Sequence, residues 1–287
     1  MAVDPHAVGR STNPRRYVWT SRDAMLYALG VGAGAGELAF VTENSHNVEQ
    51  RVLPTYAVIV ADASAALPLI GDIDLSRLVH GAQSLRLHRP LPPGGAVDST
   101  ASVVSIVDKG PGGNAVVELS ARAVDATTGE LMAETRSTVV LRGGGGFGGE
   151  SGARAHPPEI PERTADAEIT ERIQPEQALL YRLSGDRNPL HSDPWFARER
   201  AGFPKPILHG LCTYGFAGRA LLSEVCDGED PRFAEMSASF TAPVFPEETL
   251  TTAIWRTSAS EALFRTYAQT GDADPRIVLD GGRVRLR

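Results

Sequence analysis

The amino-acid sequence predicts an α+β fold assembled twice along one chain, and three observations carry that prediction. Alternating apolar and polar residues recur in four consecutive segments on each side of a glycine- and proline-rich stretch, the pattern of antiparallel strands at hairpin spacing. Each set of strands follows a helical stretch. Finally, Ser84 through Pro90-Leu91-Pro92-Pro93 lines up with Ser237 through Pro243-Val244-Phe245-Pro246 at a constant offset, which marks an internal repeat.

Taken in order, residues 21–29 form the first helix, with Ser21 as N-cap. The segments SLRLHRPLPPGG, AVDSTASVVSIVD, NAVVELSARAVDATTG and ELMAETRSTVVLRG follow as strands punctuated by turns. GGGGFGGESGARAHP, continuing into PEIPERTADAEI, has linker composition. It divides the chain into an N-terminal unit, 1–142, a linker, 143–164, and a C-terminal unit, 165–287. There the pattern recurs: a helix at 210–224, then MSASFTAPVFPEE, TLTTAIWRTSAS, EALFRTYAQTGD and RIVLDGGRVRLR. A helix followed by an antiparallel sheet, twice, is α+β. The periodicity alone fits an antiparallel sandwich equally well.

Bulk properties exclude several function classes. With 287 residues each half can bury a core without disulfides. The two cysteines, Cys212 and Cys226, match no CxxC or metal-ligand spacing, so neither redox nor zinc chemistry is expected, and a reduced compartment is. A net charge of −7 without a Lys/Arg stripe argues against nucleic acid. The N-terminus lacks the apolar core of a signal peptide and no apolar run approaches a bilayer span, so a cytoplasmic protein with no membrane partner is expected. Arg285-Leu286-Arg287 is not the Ser-Lys-Leu peroxisomal address. The run Gly143–Gly146 is followed by no Lys-Ser or Lys-Thr, so it is no phosphate loop.

The chemistry concentrates in Tyr181-Arg-Leu-Ser-Gly-Asp-Arg-Asn-Pro-Leu-His191. Asp186 and His191 stand five apart in a stretch held irregular by Gly185 and Pro189, so both side chains can turn toward one point. A carboxylate and an imidazole sharing a water form an acid-base dyad, and Asn188 between them can hold the water or orient Asp186. Downstream, Gly210 opens a helix whose N-terminal amide and dipole suit a developing oxyanion. Taken singly, Asp186 and Asn188 also read as turn residues and His191 as a core histidine.

Together these residues resemble the signature of the (R)-specific enoyl-CoA hydratases, or MaoC-like dehydratases, in which Gly-Asp-x-Asn-Pro-Leu-His sits in a loop between two short helices. Phe203-Pro-Lys-Pro-Ile-Leu-His-Gly-Leu-Cys212 is similar to that family's second block. The resemblance covers nearly the whole chain. It implies two fused hot-dog halves, each a curved antiparallel sheet wrapped on a central helix. It also implies reversible hydration of trans-2-enoyl-CoA to (3R)-3-hydroxyacyl-CoA, in fatty acid metabolism such as β-oxidation. Asp186 and His191 would be the acid-base pair, Asn188 would position water, and Gly210 would be the oxyanion donor. No metal and no separate cofactor are then needed, CoA being part of the acyl-CoA substrate. Gly185, Leu190 and His209 are candidate substrate contacts, and Lys109 and Lys205 are candidate partners for CoA phosphates.

The first half has no Asp-x-Asn-x-x-His, and it matches mainly through its repeat position and Val79-His80-Gly81. The resemblance implies a reduced central helix there, with residues 57–70 lining room for an acyl chain. An internal pair of halves already satisfies hot-dog pairing, so either a monomer or a homodimer is compatible. Two other functions fit the same fold: acyl-CoA thioester hydrolysis, and non-catalytic acyl-CoA binding.

Overall fold

A computed structural model describes residues 2–149 and 157–287. Its frame is one ten-stranded antiparallel sheet. The first half supplies β1 (Arg15–Trp19), α1 (Ser21–Gly30), β2 (Leu78–Leu87), β3 (Gly95–Asp108), β4 (Ala115–Asp125) and β5 (Leu131–Leu141). The second half supplies β6 (Ala167–Arg172), α2 (Gln177–Tyr181), α3 (Gly210–Glu224), β7 (Phe233–Phe240), β8 (Thr249–Ser258), β9 (Glu261–Gln269) and β10 (Arg276–Leu286). The strand order is β1-β3-β4-β5-β2-β7-β10-β9-β8-β6, so each half adds five strands and the halves join at β2 and β7. This is the α+β architecture of two fused hot-dog halves that the sequence predicts.

All eight expected strands form. Along β4 the burial alternates strictly from Ala115 to Ala121, as expected for a strand with one face on the core. The join carries the repeat's geometry, because Ser84 pairs directly with Ser237, the residue it matches along the sequence. A pseudo-two-fold axis therefore passes between them. The edge strands β1 and β6 were not expected. RRYVW and AEITER are short and charged, which is how a sheet edge avoids further pairing.

Two other details differ from the sequence reading. Thr20, not Ser21, caps α1, and its N–H and hydroxyl both donate to Asp23 Oδ2. The start of the glycine run is folded: Asp108 Oδ1 accepts from the N–H groups of Gly110 and Gly146, and Oδ2 from that of Gly148. Residues 150–156 of the expected linker lie outside the described residues.

The second half's central helix, α3, spans the range expected, with ten of its residues buried. Its face toward the first half carries Gly215 and Gly218. A Cβ on Gly218 would lie 2.4 Å from Thr55 Cγ2, so the missing side chain lets the halves approach closely. Arg219 adds a polar tie, donating to Glu37, Glu171 and the Val31 carbonyl. The first half has only broken turns in the equivalent place: Pro54–Tyr56, Ala57–Val60 and Ala63–Ile70. Asp62 caps the last of these through Ser64 N–H, and Pro68 sits within it. Ala57, Val60, Ala61, Ala66 and Ile70 are buried there. Among the described residues, no helix is long and apolar enough to cross a membrane.

Candidate active site

The motif loop begins where α2 ends. After the turn Arg182–Ser184, Gly185 takes φ of +136°, a conformation that side-chain-bearing residues rarely adopt. Asp186 Oδ1 accepts from Asn188 N–H at 3.0 Å, and Asn188 Oδ1 accepts from Leu190 N–H at 3.0 Å. These side-chain turns, with Pro189 starting the turn Pro189–His191, make a rigid hook out of turn-forming residues. Its backbone is pinned to the second block by Ile207 N–H on the Leu190 carbonyl.

His191 is buried, and its Nδ1 lies 2.9 Å from the Ile207 carbonyl oxygen. A carbonyl only accepts, so Nδ1 carries the proton and Nε2 presents a lone pair. Asp186, by contrast, is exposed at the loop surface. Burial lowers the His191 pKa, against the Ile207 bond and the Asp186 charge, which both raise it. The imidazole is thus held toward its neutral, proton-accepting form.

His209, the N-cap of α3, is 1% exposed and stacks on His191 with ring centroids 3.7 Å apart and an interplanar angle of 26°. Its Nε2 donates to the Asp186 backbone carbonyl at 3.3 Å, and the Tyr181 ring lies 4.9 Å away. Burial, then the neighbouring His191, pushes the His209 imidazole down to about 3. Gly210 is the first residue of α3, so its N–H has no carbonyl partner inside the helix and points out of the N-terminus. Phe240 covers it, since a Cβ on Gly210 would come within 3.2 Å of that ring.

One ligating atom each from Asp186, His191 and His209 lies within 4.8 Å of the others, close enough to suggest a cation site. Two of the four ring nitrogens already have carbonyl partners, His191 Nδ1 with Ile207 and His209 Nε2 with Asp186.

The structure therefore brings Gly185, Asp186, Asn188, Leu190, His191, His209 and Gly210 together from two segments. The lysines are placed elsewhere. Lys205 reaches the Pro246 carbonyl at 3.4 Å and Glu247 at 3.9 Å, beside the Phe245 ring. Lys109 sits in the hairpin turn after β3, where its N–H donates to the Asn114 carbonyl. Sequence reasoning passed over His80 and Phe240. Their rings meet at 4.6 Å, tilted by 42°, and His80 Nε2 is sealed from solvent with burial pushing the ring down to about 4. The available signal was His80 in Val79-His80-Gly81, a histidine flanked by small and apolar residues at the start of β2. A shallow hollow of about 470 Å³ on the sheet's outer face, lined by Arg86, Arg122 and Arg136 among others, touches none of these residues.

Two family models match successive stretches of the chain. Residues 17–143 match a model described as the MFE-2 hydratase 2 N-terminal domain, and residues 157–275 match one described as a MaoC-like domain. The chain is 55% identical to 3-hydroxyacyl-thioester dehydratase Y of Mycobacterium tuberculosis, covering 99% of this chain and 98% of that protein. It is 42% identical to the peroxisomal enoyl-CoA hydratase 2 of Arabidopsis thaliana, covering 84% of this chain and 82% of that protein. The solved structure of a MaoC-like dehydratase from Phytophthora capsici superposes with a TM-score of 0.86 at 30% identity, covering 99% of this chain and 98% of that one.

Proposed function

The chain belongs to the enoyl-CoA hydratase 2 family, which sets an MFE-2 hydratase 2 N-terminal domain before a MaoC-like domain, and on that premise we propose that Asp186 and His191 add water to trans-2-enoyl-CoA to give (3R)-3-hydroxyacyl-CoA. The chain is an enoyl-CoA hydratase and its substrate is an acyl-CoA thioester. One observation carries the assignment of the pair: the Ile207 carbonyl fixes the His191 tautomer, leaving an Nε2 lone pair beside an exposed carboxylate.

Hydration must withdraw one proton from water and deliver one to the α-carbon as oxygen bonds to the β-carbon. A water between Asp186 and His191 can lose one proton to the pair as its oxygen bonds to the β-carbon, and the pair then delivers that proton to the α-carbon on the same face. The two groups titrate as a unit, so the pair is the acid-base catalyst. Asn188 uses Oδ1 in its cap, which leaves its NH₂ end to hold the water. The thioester oxygen gains charge as water adds and is met by Gly210 N–H at the start of the fifteen-residue α3. These steps draw on side chains and backbone amides, with CoA entering as part of the substrate. The buried apolar turns at 57–70 are the proposed lining for the acyl chain. Fatty acid β-oxidation and a cytoplasmic setting are part of the same reading.

The test is loss of the enoyl-thioester absorbance, with the stereochemistry of the product determined. Wild type should give the (3R)-hydroxyacyl-CoA, and Asp186→Asn and His191→Ala should fold yet lose at least about a thousandfold in rate. Release of free CoA thiol, or near-normal rates in both variants, would overturn the proposal.

A further inference from the structure

We infer that His209 is a positioning residue that joins the acid-base pair to the N-terminus of α3. The inference rests on the reading of Asp186 and His191 given above. The pair and the oxyanion amide come from different segments, the loop at 182–191 and the helix starting at Gly210, so their relative placement needs a physical link. His209 touches both. Its own carbonyl accepts from Cys212 N–H at 3.0 Å and Thr213 N–H at 3.2 Å, which fixes it at the start of α3. Its Nε2 donates to the Asp186 carbonyl at 3.3 Å, and its ring lies on His191.

The stack supplies what one hydrogen bond does not. Among the described residues His191 has a single polar anchor, at Nδ1, about which the ring could still swing. A flat neighbour at 3.7 Å blocks that rotation and keeps Nε2 aimed beside Asp186. Tyr181, tilted by 51° at 4.9 Å, supports His209 from another side. The charged or titratable groups around His209 are therefore His191, Asp186, Tyr181 and Arg182.

A purely packing role fits less well. With Nε2 as donor, Nδ1 is a bare acceptor, and among the described residues it is buried with no hydrogen-bond partner. Phenylalanine would fill the same space without that penalty. The imidazole is worth keeping for the one feature phenylalanine lacks, the N–H on the Asp186 carbonyl.

Three variants separate the ring from the donor. His209→Phe keeps the flat ring, His209→Gln keeps an N–H of similar reach, and His209→Ala keeps neither. With trans-2-enoyl-CoA we expect kcat to fall roughly tenfold in the first two and roughly a hundredfold in the alanine variant, with KM held within about twofold. An unchanged kcat in His209→Ala overturns the inference, and so does a loss confined to KM, which would make the residue a substrate contact. A measurement on wild type does not depend on the variants folding: long-range ¹H–¹⁵N correlation spectra should show His209 as the Nε2–H tautomer and His191 as the Nδ1–H tautomer. The Nδ1–H form at His209 overturns the inference. If Asp186→Asn and His191→Ala stay active, the assignment of the pair has failed; if they are inactive while His209→Ala matches wild type, only this inference has.

Discussion

Acidification should destabilise this protein well above the range in which ordinary carboxylates titrate, because it folds around histidines that resist protonation. His209 is 1% exposed and is pushed down to about 3, first by burial and then by His191. In the unfolded chain a histidine takes up its proton near pH 6.5, so between about 6.5 and 3 the unfolded state binds more protons and stability falls as pH falls. From about pH 7 to about pH 5.5, a histidine that stays neutral when folded costs about 1 kcal/mol. His80, pushed down to about 4 by burial, adds a similar loss, and His191 shifts in the same direction. Buried carboxyls at Glu171 and Asp230 are raised instead, so they gain stability on acidification and partly offset the histidines. A variant comparison cancels that background. Urea unfolding of wild type and His209→Phe at the two pH values should show the variant losing about 1 kcal/mol less, with unchanged m-values. Equal losses in both proteins would refute the claim that His209 folds in its neutral form.

Three further outcomes follow from contacts already described. Arg219→Ala removes a cation whose side chain is 9% exposed and leaves Glu37 and Glu171 facing the same space; urea unfolding should show a loss of about 3 kcal/mol, and a change under about 1 kcal/mol would be inconsistent with that burial. Asp108→Ala removes the carboxylate that gathers Gly110, Gly146 and Gly148; hydrogen exchange at Gly146 and Gly148 should accelerate by at least about tenfold while β4 stays protected. Gly210→Ala puts a methyl 3.2 Å from the Phe240 ring at the proposed oxyanion amide; kcat/KM in the absorbance assay should fall by about tenfold or more, with a thermal midpoint close to wild type.

Much of this architecture was legible because it is periodic. The strands of the two hairpin sets and the whole of α3 follow from alternation, turn residues and an apolar face, all of which are local. β1 and β6 were not, because an edge strand buries little and is selected for charge rather than for pattern. The folded glycine segment was invisible for another reason: its organiser, Asp108, lies 38 residues before Gly146 and leaves no local trace. At the site, the hook from Gly185 to His191 could be read directly, since Gly, Asp, Asn and Pro each do locally what their chemistry suggests. The stacking of His209 on His191 could not, because it joins separate segments whose approach is set by the packing of α3. The neighbours of Lys205, the Pro246 carbonyl and Glu247, were likewise not legible, because they lie about forty residues away along the chain.

The join at Ser84 and Ser237 records how far the two copies have parted. In a symmetric ancestor, every contact on one side of that axis would have been duplicated on the other. Here Arg86 meets Glu235 in an ion pair of 2.7 Å, while the corresponding pair across the axis is Ala82 and Ser239. Covalent fusion removed the requirement that one residue serve both sides, so each position could be tuned for a single neighbour. The same asymmetry extends to the sequence motif, since Asp-x-Asn-x-x-His occurs in the second half and not in the first. A separated C-terminal half pairing with its own copy in this register would set Glu235 against Ser239, without the arginine that the first half provides.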